Sequence, residues 1–117
     1  MLINYIENLT INILCKNNIN SFPVSVTKIC DNENITLVKN SNMNLLNKNE
    51  IAKTSFIDNR LYIIYDDKLN NTEIRYAIAH ELGHVFLHHN FKNTNKKDEL
   101  QADIFASYLL APTFKLL

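Results

Sequence analysis

The sequence predicts an α+β domain: N-terminal helices, a small antiparallel three-stranded sheet, a helix bearing the motif His-Glu-x-x-His, and a C-terminal helix with further ligand residues. Three observations point there. Apolar residues recur at helical spacing at both ends of the chain, β-branched and aromatic runs flank Asp58-Asn59 in the middle, and strands do not alternate with helices as in a parallel α/β fold. With 117 residues the chain forms one domain, 1–117, since a second core of ordinary size does not fit.

Leu2, Ile3, Ile6, Leu9, Ile13 and Leu14 keep a helical period, so the chain opens on an amphipathic helix. Pro23 is placed for the first turn of a short second helix ending near Asp31; the β-branched content of Val24, Val26 and Ile29 makes a strand the rival. Ile35–Val38 reads as a strand, and the Asn-rich stretch Asn40–Asn49 as a surface loop. Ser55–Ile57 and Arg60–Tyr65 form a hairpin, because Asp58 and Asn59 tolerate positive φ. Asp66, Asp67 and Asn70-Asn71 end the sheet. Thr72 is the expected N-cap of a helix with Ile74, Ala77, Ile78, Leu82, Val85 and Phe86 on its apolar face. After a polar break at Asn90–Asn95, a last helix runs from about Lys96 to Leu110. It buries Leu100, Ile104, Ala106 or Ser107, and Leu110, and Pro112 stops it.

Composition narrows the function. A hydrophobic fraction of 46% with 21% charged residues belongs to a soluble globular chain, not a disordered one. Twelve basic residues against twelve acidic ones give no excess with which to neutralise phosphates, so direct nucleic-acid binding is not expected. The N-terminus lacks the basic and continuous apolar regions of a signal peptide, and no run is long enough to cross a bilayer. Cys15 and Cys30 form no disulfide framework and read as free thiols, which suits a reducing compartment, so the cytoplasm is the expected location. The abundance of asparagine reads as a bias of the encoding genome.

The chemistry concentrates in His80-Glu81-Leu82-Gly83-His84. Two histidines four apart on a helix project from one face, one turn apart, and can share a tetrahedral zinc ion. Glu81 lies about 100° further round the helix. There it is close to the metal and free to act as the base that takes a proton from the attacking water. Gly83 is the only glycine in the chain. Inside a helix it costs about 1 kcal/mol relative to alanine, so a packing or functional reason is expected. A third protein ligand is required. Glu99 and Asp103, four apart on the last helix, share a face: Glu99 can ligate, and Asp103 can accept the spare ring N–H of a histidine. Asp98 and Asp103 are the rival ligands. His88 lies about 12 Å along the helix from His80 and is out of reach of the same ion. A third histidine ligand in the extended pattern would need glycine at 87 and histidine at 90, where this chain has Leu87 and Asn90. His88 and His89 are therefore expected at the helix C-terminus, where imidazoles meet free carbonyls.

The segment Arg75–His88, followed by Glu99–Pro112, resembles the ImmA/IrrE-type metallopeptidases, and Phe22-Pro23-Val24 extends the likeness loosely towards the N-terminus. The resemblance implies a gluzincin-like fold, zinc held by His80, His84 and Glu99, and Glu81 as general base. It also implies an intracellular endopeptidase of a phage or mobile element that inactivates a helix-turn-helix transcriptional repressor. Relatives usually carry further helices beyond the position of Pro112, where this chain has five more residues, so parts that select the substrate are expected from elsewhere. Tyr62, Tyr65 and Tyr108 are the tyrosines considered for stabilising the oxyanion, and the Arg60–Tyr65 strand is the sheet edge expected to receive an extended substrate. The reading from another class is a regulatory module, an anti-repressor or toxin–antitoxin component, that uses zinc for folding and does not cleave.

Overall fold

The computed structural model describes residues 2–111. Helix α1 (Leu2–Lys16) is followed by α2 (Val26–Asn32), strand β1 (Ile35–Lys39), a single helical turn α3 (Asn40–Met43), strands β2 (Ala52–Ile57) and β3 (Arg60–Tyr65), and helices α4 (Asn71–Phe86) and α5 (Lys96–Leu110). The α+β class and the order of elements are those read from the sequence, except that the turn α3 falls within the Asn40–Asn49 segment expected as a loop. The stop assigned to Pro112 lies outside the described residues.

The sheet is mixed, not antiparallel throughout. Its order is β1-β3-β2: β3 runs antiparallel to β2, with Thr54 opposite Ile63, and parallel to β1, with Leu37 opposite Ile63. Parallel neighbours need a crossover of a dozen or more residues. The stretch from α3 through β2 supplies it, which lets the second strand of the hairpin, not the first, lie beside β1. As a consequence β3 is central and β2 is an edge. Asp58 and Asn59 turn the hairpin at φ 52° and 64°, the left-handed pair expected of them.

Asparagine does the work that glycine does elsewhere. Asn18, Asn34, Asn44, Asn49 and Asn59 all have positive φ, a conformation its short polar side chain tolerates. In the Asn40–Asn49 segment, Asn40 Oδ1 also accepts the Leu45 and Leu46 N–H groups at 2.8 and 3.0 Å.

Two boundaries differ from expectation. Ser25 caps α2 by accepting the Lys28 N–H at 3.1 Å, so Pro23 stands ahead of the helix and not in its first turn. Asn70, not Thr72, caps α4: it accepts the Glu73 N–H at 2.9 Å while Glu73 accepts the Asn70 N–H at 3.2 Å. That reciprocal box needs a carboxylate three residues after the cap, which Asn70 has and Thr72, followed by Arg75, lacks. Asn95 and Asp98 build the same box at the start of α5. The buried face of α5 is also rotated. Ala102, Phe105, Ala106 and Leu109 are fully buried, whereas Leu100 is 60% exposed and Ser107 faces solvent. Close helix packing selected small residues over the larger Leu100.

That packing is against α4. A Cβ on Gly83 would lie 3.0 Å from Ala102 Cα and 3.1 Å from Phe105 Cβ, so even a methyl group would require the two helices to give by a few tenths of an ångström. Helix α4 is buried on most of its circumference, from Ala77 to His84 except His80, because the sheet and α5 both cover it. Ile6, Leu14, Ile29, Ile63, Leu82 and Phe105 form the centre of the core, and Arg75 ties α4 to the Val24 carbonyl at 3.0 Å. No helix of the described residues is long and apolar enough to cross a membrane.

Candidate metal centre

The two histidines of α4 turn their Nε2 atoms towards each other at 3.2 Å. From the first turn of α5, Glu99 brings one carboxylate oxygen to 2.9 Å from His80 Nε2 and the other to 3.3 Å from His84 Nε2. Donors bound at about 2.0–2.1 Å around a tetrahedral ion lie about 3.3–3.4 Å apart, so this triangle has the required size.

The outer ring nitrogens fix where the hydrogens sit. His80 Nδ1 is 2.8 Å from Asp103 Oδ1, a carboxylate that accepts the ring N–H and leaves the lone pair on Nε2. His84 Nδ1 is 2.9 Å from His89 Nδ1. Where each outer nitrogen carries the ring hydrogen, two imidazole lone pairs and a carboxylate converge, an arrangement that repels itself unless a cation lies among them. The mixed nitrogen and oxygen donors fit a transition-metal ion such as zinc.

Glu81 is 8% exposed and within 4.8 Å of both imidazoles. It does not point at them as Glu99 does, because Thr54 of β2 donates its hydroxyl to Glu81 Oε1 at 2.7 Å. Burial raises the Glu81 carboxyl above the ordinary carboxylate range, while the Thr54 hydrogen bond and His80 pull it partly back. Burial likewise makes His84 harder to protonate, favouring the neutral ring that a metal requires. Glu99 moves the other way: against the effect of its burial, a hydrogen bond from Thr94 and the two imidazoles hold its carboxyl low.

The expected site residues thus come together: His80, His84 and Glu99 around one point, Glu81 beside them, and Asp103 behind His80. Asp98 is not at that point. It caps α5 and lies 3.6 Å from His89 Nε2. The expectation that His88 and His89 serve free helix carbonyls is corrected. The backbone serves those carbonyls, with His88 N–H bonded to Val85 O at 3.2 Å and His89 N–H to His84 O at 3.0 Å, closed by His88 at φ 60°. Reversal of the chain there folds the His89 ring back against His84.

Four contributors were missed. Thr54 could have been placed by the period-two alternation of β2, given the correct sheet partner. Tyr76 lies one helical turn before His80 and donates its hydroxyl to Asp103 Oδ1 at 2.6 Å; burial and Asp103 push that phenol up to about 12. His89 and Gln101 carry no spacing signal. Tyr62, Tyr65 and Tyr108 line neither of the two clefts that meet at the centre. One, of about 240 Å³, includes Lys53, Thr54, Phe91 and Thr94; the other, of about 260 Å³, includes Ile51, Tyr76, Ala77 and Asp103. Ala52, Glu81 and Glu99 border both.

Comparison with curated proteins and with solved structures gave no match. A family model, that of the IrrE N-terminal-like domain of peptidase M78, matches residues 30–117. This stretch holds the sheet, His80, His84, the carboxylates of Glu81, Glu99 and Asp103, and Thr54. The chain therefore belongs to the peptidase M78 family, as an IrrE N-terminal-like domain.

Proposed function

We propose that the chain is a zinc-dependent endopeptidase acting in the cytoplasm, and that its substrate is a helix-turn-helix transcriptional repressor of a phage or mobile element. The observation that carries the reading is Glu81: a buried carboxylate with a raised pKa, held by Thr54 at the junction of two clefts and beside the converging imidazoles. A purely structural metal site has no use for such a base.

Zinc held by His80, His84 and Glu99 would polarise the scissile carbonyl and acidify a water molecule. Thr54 engages one oxygen of Glu81 and leaves the other free to take the proton of the attacking water. Glu81 then hands that proton to the leaving amine. Asp103 keeps the His80 ring in the tautomer that presents Nε2.

The clefts run along β2, whose Ala52 borders both. An extended substrate would add to the open edge of this strand. The Arg60–Tyr65 strand, expected to serve that purpose, is central and has both edges filled. Main-chain pairing to β2 explains how a small domain could hold an unfolded stretch of a partner.

Replacing Glu81 with Gln tests the reading. With a helix-turn-helix repressor from the same phage or mobile element as substrate, mass analysis should find a cleaved bond with the wild-type chain. Glu81→Gln should bind zinc as before and cleave about 10²–10⁴-fold more slowly. If relief of repression survives intact in Glu81→Gln, the non-cleaving regulatory module is the correct description.

A further inference from the structure

His89 is outside the motif and outside any ligand set, yet its side chain is only 7% exposed and both ring nitrogens are engaged. Nδ1 meets His84 Nδ1 at 2.9 Å, and Nε2 meets Gln101 Oε1 at 2.9 Å, with Asp98 Oδ1 at 3.6 Å on the same side. We propose that His89 and Gln101 are positioning residues for the metal ligand His84: together they hold its ring in the Nδ1–H tautomer and aim its Nε2 lone pair into the centre.

The direction of the hydrogens follows from the far end. An ionised carboxylate and an amide oxygen can only accept, so His89 Nε2 carries the hydrogen. With that hydrogen on Nε2, Nδ1 of the neutral His89 ring is an acceptor and His84 Nδ1 is the donor. His84 Nε2 is then bare and faces His80 and Glu99. Had the polarity been reversed, His84 would present an N–H to the ion and could not ligate. Chain geometry supports the assignment: the left-handed residue His88 reverses the backbone directly after α4, and the same turn that closes the helix delivers the His89 ring to its place.

The inference rests on His84 being a metal ligand, as in the function proposed above, but it does not depend on proteolysis, and its test does not read it. Two measurements on the full chain decide it. In zinc-loaded protein, nitrogen-15 NMR of the histidine rings should show His84 with Nε2 bound and a hydrogen-bonded Nδ1–H; His89→Met and Gln101→Met should both shift the resonance of that Nδ1–H. Chelator competition should show zinc and cobalt(II) binding about 10-fold weaker in each variant, within the range seen when such outer partners of a metal ligand are removed. The cobalt(II) visible spectrum should change with the ring orientation. His89→Gln keeps an acceptor and a donor on one side chain and should recover most of the affinity, which a mere packing role would not predict. Because Gln101 is half-buried on another helix, its variant remains informative if His89→Met fails to fold. An unchanged His84 Nδ1–H resonance and unchanged affinity in Gln101→Met, or no recovery in a folded His89→Gln, would overturn the proposal. If no cleavage is ever found while these shifts occur, the peptidase reading fails and the positioning role stands.

Discussion

His80 and His84 are the same chemical group one helical turn apart, and the molecule supports them by opposite means. The His80 side opens to solvent: its partner Asp103 has a side chain 51% exposed, and Tyr76 flanks it. The His84 side is closed, with the His84 and His89 side chains 5% and 7% exposed. A carboxylate supports the open side because it can keep part of its hydration there. In place of His89 it would be a buried charge, several kcal/mol less favourable after relaxation, and an imidazole backed by an amide makes the same hydrogen bond without that cost. Local polarity, more than ligand identity, decides which partner stands behind a metal ligand.

The largest break in that contrast comes from Gly83. An isopropyl group there meets Ala102 Cα and Phe105 Cβ at distances already at the limit for a bare Cβ. Gly83→Val should destabilise the fold by about 3 kcal/mol in urea titration. It should also weaken metal binding on both sides at once, by moving α5 and Glu99. A smaller effect is expected from Thr54→Val. Removing the donor to a buried carboxylate costs about 1–3 kcal/mol. The Thr54 hydrogen bond holds the Glu81 carboxyl down, so its loss should move the acidic limb of the pH–kcat profile to higher pH, leave KM unchanged, and be reversed by Thr54→Ser.

The smallest effect belongs to the open side. Tyr76→Phe should leave metal affinity nearly unaltered, since Asp103 still holds His80. Its signature is alkaline. The Tyr76 phenol titrates at about 12 in the fold against an ordinary value of 10, so its contribution to stability is complete below pH 10 and lost as pH rises towards 12. Denaturation as a function of pH should show that loss in the wild type and less of it in Tyr76→Phe. Loosening of the metal by Tyr76→Phe as severe as that by His89→Met would end the distinction between the two sides.

The candidate metal centre was legible in the sequence where chemistry dictates spacing. His80, Glu81 and His84 must share a helix, and Glu99 and Asp103 must share another, so period alone brought them to notice. What escaped was set by tertiary structure. Thr54 reaches Glu81 only because β2 is an edge beside α4, and the mixed order of the sheet has no local signal. The α5 face was shifted by placing the large Leu100 on it and omitting Ala102, when the neighbouring glycine demanded small partners. His89 acts through a backbone reversal at His88, a residue type that takes positive φ too seldom to be foreseen.

The absent methyl group at Gly83 also works as a calliper. Because α4 and α5 touch there, the gap between the imidazole pair and Glu99 is held at 2.9–3.3 Å. Calcium and magnesium take oxygen ligands, whereas two imidazole nitrogens beside a carboxylate suit a transition-metal ion. The reach from one helix to the other is set at the one position of the chain that carries no side chain.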